Sequence, residues 1–177
     1  TGPEFRCLKR MQAKRASLAR LASSLLAGGT RDGTCAVSVA RLVRSCHGIP
    51  RRSVRLGDPY QAQCLGTAQR VAERIGLRDE LWVASFQSRF GKAEWLKPYT
   101  VEVLRELGAK KTVGVSICCP GFPADCLETL EEIAIEGKAA FKDSGGSSYR
   151  YIPCVNDDPR WIAGLAAIAE RNLHGWL

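Results

Sequence analysis

The sequence lacks any apolar run of about 18 residues or more, so no membrane-spanning helix is expected. Its start, TGPEFRCLKRMQ, has no apolar signal-peptide core. Eight cysteines are present (Cys7, Cys35, Cys46, Cys64, Cys118, Cys119, Cys126 and Cys154), but no two make a CxxC pair. Spacings suited to zinc or iron–sulfur ligation are therefore missing. Without a secretion signal the thiols are expected to be reduced, in a cytosolic protein, many of them serving as small buried apolar groups. Histidine is scarce, with only His47 and His174. Acids are nearly missing from the first third. Residues 1–56 carry 12 Lys/Arg against 2 Asp/Glu, whereas residues 57–177 carry 14 against 16. The net charge of +8 belongs to the N-terminal third. No basic stripe with interleaved aromatics follows it, so nucleic acid is not an expected partner.

The 177 residues, 45% hydrophobic and 25% charged, suit one soluble domain with a real core. Four short apolar runs read as strands: Ala40–Cys46, Leu81–Phe86, Thr112–Cys118 and Tyr149–Cys154. Arg44 is out of place in the first. A helix is expected from Asp58-Pro59 to Gly76, with Leu65, Ala68, Val71, Ala72 and Ile75 inward. A second follows Pro98, with Val101, Leu104 and Leu107 inward and Gly108 as its stop. A third runs from Asp125 through CLETLEEIAIEGKAAF, and a fourth from Asp157-Asp158-Pro159. Strand and helix alternate, which predicts an α/β fold: three layers, α/β/α, around a four-stranded parallel sheet, a Rossmann-type half. In such sheets ligands bind beyond the carboxyl ends of the strands.

Residues 1–39 read as a separate basic, amphipathic helical segment, with residues 40–177 as the α/β domain. The segment fits the last helix of a preceding region, a helix lying on a membrane surface, or non-native sequence.

His47 stands where the first strand ends. A neutral imidazole there can take a proton or bind a metal, or simply cap a turn. Glu128, Glu132 and Glu136 recur every four residues along one helical stripe. Such a stripe is either a solvated face or a carboxylate ladder for a hard or borderline cation, and Fe2+ accepts imidazole and carboxylate together. Asp125 and Glu128 also have capping-box spacing. Trp95 and Phe122 are either core residues or walls for a flat apolar macrocycle. Arg51, Arg52 and Arg55 are solvated or meet ligand carboxylates. His174, near the C-terminus, has no expected role.

Four segments, HGIPRRSVRLGDPY, FQSRFGKAEWLKPYT, CPGFPADCLETLEEIA and YIPCVNDDPRWI, together resemble the ferrochelatases, in the proteobacterial form that uses protoporphyrin. The resemblance covers roughly Ala40 to Trp176 and implies the C-terminal, chelatase-like domain of a two-domain enzyme whose N-terminal domain is missing here. It implies insertion of Fe2+, as substrate, into protoporphyrin IX, the last step of haem synthesis. His47 matches the family's active-site histidine and Glu128 its active-site glutamate, with Glu132 and Glu136 as the acidic ridge that handles metal. Trp95 and Phe122 match residues beside the porphyrin, joined by Gln87 and Ser88, with Asp125 in support. No C-terminal cysteine cluster is present, so no iron–sulfur cluster is expected. A cytoplasmic location is expected from the reduced thiols, and peripheral membrane contact is the expectation that the basic, amphipathic segment 1–39 carries. Arg44 and Cys46 replace larger apolar residues, so an altered pocket floor is expected. A chelatase for sirohydrochlorin or a cobalt precursor, and a porphyrin- or metal-binding remnant without turnover, are the alternatives.

Overall fold

The computed structural model describes residues 40–173 and 175–176. The expectations for residues 1–39 and for His174 lie outside the described residues. Four parallel strands, β1 (Arg41–His47), β2 (Trp82–Gln87), β3 (Gly114–Cys118) and β4 (Ser148–Tyr151), form one sheet in the order β2-β1-β3-β4. The helices are α1 (Arg51–Arg55), α2 (Tyr60–Ile75), α3 (Thr100–Ala109), α4 (Leu127–Thr129), a π-helix (Leu130–Gly137), α5 (Lys138–Asp143) and α6 (Pro159–Leu173). Among the described residues no helix is long and apolar enough to cross a membrane.

Alternation along β1 sends its side chains to two cores. Val43 joins Val115 and Ile117 of the sheet with Leu104 of α3, Ile133 of the π-helix and Phe141 of α5. Cys46 joins Phe86 and Leu96 with Cys64 of α2. Helices therefore cover both faces, as the alternating pattern predicts.

Several boundaries differ from expectation. β1 takes in His47. β4 ends at Tyr151 instead of Cys154, because Pro153 has no N–H to continue a ladder; the amide of Ile152, bonded to the Ile117 carbonyl at 2.8 Å, makes the last cross-strand contact there. The short helix α1 occupies a stretch read as loop; it buries none of its five residues, so it has no apolar pattern. Helix α2 starts beyond Pro59 and ends on Gly76, which is left-handed at φ 72°. Its buried face is Cys64, Ala68 and Ala72, while Leu65 is exposed and Val71 and Ile75 are half-buried. Val101 is likewise exposed, and α3 turns Val103, Leu104 and Gly108 inward. Gly108 does not stop its helix. A Cβ there would stand 2.5 Å from the Phe141 carbonyl oxygen, so its glycine permits α3 and α5 to meet.

The small residues on α2 make room for Arg44, which is wholly buried. Its guanidinium carbon lies 3.9 Å above the Trp82 ring, and Nη1 donates to the Ala68 carbonyl. Nε and Nη2 have no partner in this structure, and burial lowers the pKa of the group. Arg44 and Cys46 thus enter the core between β1 and α2. They do not form the floor of the site at the strand ends.

Candidate active site at the carboxyl edge of the sheet

The register pairs His47 with Gln87 at the carboxyl ends of β1 and β2. The His47 Nδ1 lies 2.6 Å from the Gly48 carbonyl oxygen. A carbonyl only accepts, so Nδ1 carries a proton, and Nε2 is the ring nitrogen not engaged in that bond. Tyr60 steadies the same residue by donating its hydroxyl to the His47 carbonyl at 2.9 Å. The rings of Trp95 and Phe122 flank the imidazole, with centroids at 6.3 and 6.2 Å. Gly48 is required for this arrangement. A Cβ there would meet the Gln87 carbonyl oxygen at 2.8 Å and the Trp95 ring at 3.1 Å.

Gln87, expected among the porphyrin-binding residues, is instead a strut only 3% exposed. Its Oε1 accepts from Ser45 Oγ at 2.6 Å and Cys119 Sγ at 3.4 Å, and its Nε2 donates to the Glu128 carbonyl at 2.7 Å. It ties β1, β2 and β3 to the helix that carries the glutamates. Ser88, left-handed at φ 63°, donates its N–H and hydroxyl to the two carboxylate oxygens of Glu132 at 2.6 and 2.7 Å.

Glu128 is exposed. A hydrogen bond from the Cys126 thiol, then its own amide and the charge of His47, hold its carboxyl below the usual range, against slight desolvation. It is ionised at neutral pH. The capping box lies one residue later than the sequence spacing predicts. Cys126 is the N-cap, and its amide donates to Thr129 Oγ1 at 2.9 Å, which releases the Glu128 side chain from a capping role. Glu136 is exposed farther along the helix. Among the described residues no three His, Cys, Asp or Glu side chains gather closely enough to hold a metal together. Ser88 holds Glu132, and the helix sets Glu128, Glu132 and Glu136 in a file, the arrangement of a ladder along the helix.

That helix runs through residues 127–143 but changes to π geometry over Leu130–Gly137. A π-turn is rare and needs support. Tyr149 provides it by donating its hydroxyl to the Ile133 carbonyl at 2.6 Å, and a Cβ on Gly137 would meet that hydroxyl at 2.8 Å. Asp125 anchors the start of the helix. Its carboxylate accepts from Tyr151 (2.5 Å), Asn156 (2.9 Å) and the Cys154 amide (3.2 Å). Burial alone would raise its pKa, but the bonds from Asn156, Tyr151 and Cys154 outweigh it and keep the group ionised. Arg51 and Arg55 are engaged with Glu94, at 2.7 and 3.6 Å, so of the three arginines beside His47 two have an internal carboxylate. All six described cysteines are free. Burial pushes Cys118 and Cys154 up to about 11, which keeps them protonated and unreactive.

Sequence reasoning did not find Cys126, Tyr60, Tyr149 or Tyr151. A tyrosine near a strand end is a weak signal, and its partner is known only once the fold is.

A parallel sheet covered by helices, with an imidazole between two aromatic rings and a carboxylate coupled to it at its carboxyl edge, defines an α/β protein with a candidate ligand site at its strand ends. The family model for ferrochelatase matches residues 3–173, and the chain belongs to the ferrochelatase family. It is 57% identical to a ferrochelatase of Chromobacterium violaceum over 136 residues, 77% of this chain and 37% of that one. It is 48% identical to that of Dechloromonas aromatica over 174 residues, 98% of this chain and 47% of that one. With the ferrochelatase of Bordetella pertussis the identity is 54% over 136 residues, 38% of that chain. The chain thus spans less than half the length of the curated relatives it matches.

Proposed function

We propose that this chain provides the histidine and carboxylate side of a site that inserts Fe2+ into protoporphyrin IX, as the C-terminal part of a longer enzyme of the haem pathway. The reaction exchanges two pyrrole N–H protons for one Fe2+ and releases two protons. His47 accepts a pyrrole proton at Nε2. Ionised Glu128 neutralises the incoming cation, and Glu132 and Glu136 pass cations along the helix surface. Trp95 and Phe122 face the macrocycle, and binding energy there bends it so that nitrogen lone pairs meet the metal. Iron is substrate, and no resident cofactor is proposed. A cytoplasmic enzyme in peripheral contact with a membrane accords with so apolar a substrate.

The observation that carries this reading is the bond from His47 Nδ1 to the Gly48 carbonyl, which fixes the ring between Trp95 and Phe122, near enough to Glu128 to interact electrostatically, with Nε2 outside that bond. The test uses a full-length chimaera: the Chromobacterium violaceum ferrochelatase carrying this chain in place of the segment it matches. His47→Ala and Glu128→Gln should each lower iron insertion about a hundredfold or more. Near-normal rates in either variant refute the assigned roles.

Because the chain spans under half of its relatives, a second reading is binding without turnover by this chain alone. Absorbance titration of the 177-residue chain with protoporphyrin, with and without His47→Ala, tests it. Saturable binding that depends on His47, with no iron insertion, supports that reading.

A further inference from the structure

Trp95 stands beside His47, yet no hydrogen bond of its own holds its ring, for the indole N–H is buried without a partner in this structure. Its place depends on its backbone and on its neighbours in sequence. Pro50 and Trp95 pair in a short antiparallel bridge between the segment after β1 and the loop after β2. The Arg51 amide donates to the Glu94 carbonyl at 2.8 Å, and the Leu96 amide to the Ile49 carbonyl at 3.0 Å. On one side of Trp95, Leu96 is only 2% exposed and anchors the loop in the core with Cys46, Cys64 and Phe86.

On the other side Glu94 is exposed and has an ionic anchor instead. Its carboxylate lies between two guanidiniums of α1, with Oε1 2.7 Å from Arg51 Nη1 and Oε2 3.6 Å from Arg55 Nη2. The Arg51 hydrogen bond, then the charges of Arg51, Arg55 and Lys97, hold the Glu94 carboxyl below its ordinary range against slight desolvation. The carboxylate is ionised at neutral pH, so the contact is made there. The tolerance at the ring is small: a Cβ on Gly48 would already stand 3.1 Å from it. A shift of Glu94 moves the residue that follows it, and with it the gap between Trp95 and His47.

We infer that Glu94, clamped by Arg51 and Arg55, is a positioning residue that fixes the Trp95 wall beside His47 and so sets the affinity of the site for a flat macrocycle. This rests on the assignment of Trp95 to the macrocycle under the proposed function.

The test separates affinity from turnover in the full-length chimaera described above. An exposed ion pair adds little to global stability, so Glu94→Ala should leave the melting temperature within about 3 °C of the parent. It should raise the KM for protoporphyrin about three- to fivefold, while kcat stays within about twofold. Arg51→Ala should do the same. The double variant should be no worse than either single one, because both remove the same pair. An unchanged KM, losses that add in the double variant, or a lower kcat that follows a lower melting temperature overturns the inference.

Hydrogen exchange reads the clamp without iron or porphyrin. In the 177-residue chain, Glu94→Ala should speed exchange of the Arg51 and Leu96 amides at least about threefold. The Gly48 amide, bonded to the Gln87 carbonyl, should keep the parent's rate. Parent-like rates at Arg51 and Leu96 overturn the clamp whatever the reaction. Near-normal iron insertion in His47→Ala is the separate outcome that defeats the proposed reaction.

Discussion

Arg44 and His47 stand three residues apart in one strand, in regions that treat polar groups in opposite ways. At the carboxyl edge each functional side chain is held by others: His47 by Gly48, Glu132 by Ser88, Glu128 by Cys126 and Gln87. In the interior toward α2, Arg44 is fully buried with one carbonyl, one aromatic face and two unpartnered nitrogens. A satisfied polar network specifies geometry. An unmatched buried cation costs stability and specifies little. The contrast separates polar residues that serve the site from one that the core merely tolerates.

The comparison breaks first at Gln87. Gln87→Ala removes the acceptor of the buried Ser45 and Cys119 bonds and takes the donor from the Glu128 carbonyl. A loss of about 2–4 kcal/mol in urea unfolding is expected, with iron insertion in the chimaera falling at least about tenfold as Glu128 shifts. A loss under about 1 kcal/mol would show that the edge network is not what holds the helix.

Asp125 comes next. Asp125→Asn keeps the shape but turns acceptors into donors facing Asn156 and the Cys154 amide. We expect a loss of about 2 kcal/mol at neutral pH. The sign of the pH effect follows from the depressed carboxyl. Its stabilisation is complete above its ordinary pKa of 3.8 and is lost as the pH falls below that toward the folded value. The parent should therefore lose stability more steeply below about pH 4 than the Asn variant. Parallel acid limbs in denaturant titrations would dismiss the role.

Much of the fold was legible because it depends on local signals. The four strands follow apolar runs, and Pro59, Gly76 and Pro159 mark helix ends that chain chemistry alone dictates. The resemblance brought His47, Glu128, Trp95 and Phe122 to one edge. What escaped depends on partners far apart in sequence. Gln87 reads as a pocket residue until Ser45 and Glu128, about 40 positions away on either side, are seen to use its amide. The π-turn needs Tyr149, 16 residues beyond the carbonyl it serves. Leu65 and Val101 fit a helical period yet face outward, because Ala68 and Gly108 let closer contacts form beside them. α6 has the pattern of a packed helix, and no local signal reveals that it makes no substantial contact with another described element.

Arg44→Leu tests the other half of the comparison. It removes two unpartnered buried nitrogens and keeps the apolar stem, at the loss of the contact with Trp82. The desolvation of an uncompensated cation outweighs a cation–π contact, so the variant should be more stable by about 1–2 kcal/mol, raising the melting temperature by about 3–6 °C. Activity of the chimaera should not change, since Arg44 faces α2. A destabilised variant would mean that the guanidinium is satisfied after all.

Tyr149→Phe is the smallest and sharpest test, because it removes one oxygen and little volume. The Ile133 carbonyl, within the π-turn, would lose the Tyr149 hydroxyl as donor at 2.6 Å. The cost should be about 1 kcal/mol, that of an ordinary buried hydrogen bond. Both substitutions delete polar atoms from a core. If the comparison is right, they move stability in opposite directions: down at Tyr149, whose hydroxyl completes a turn of the glutamate-bearing helix, and up at Arg44, whose charge completes nothing. Faster amide exchange confined to residues 130–137 in Tyr149→Phe would locate the effect in the π-turn. Uniformly faster exchange would reduce that hydroxyl to general packing and remove the distinction between the two regions at this position.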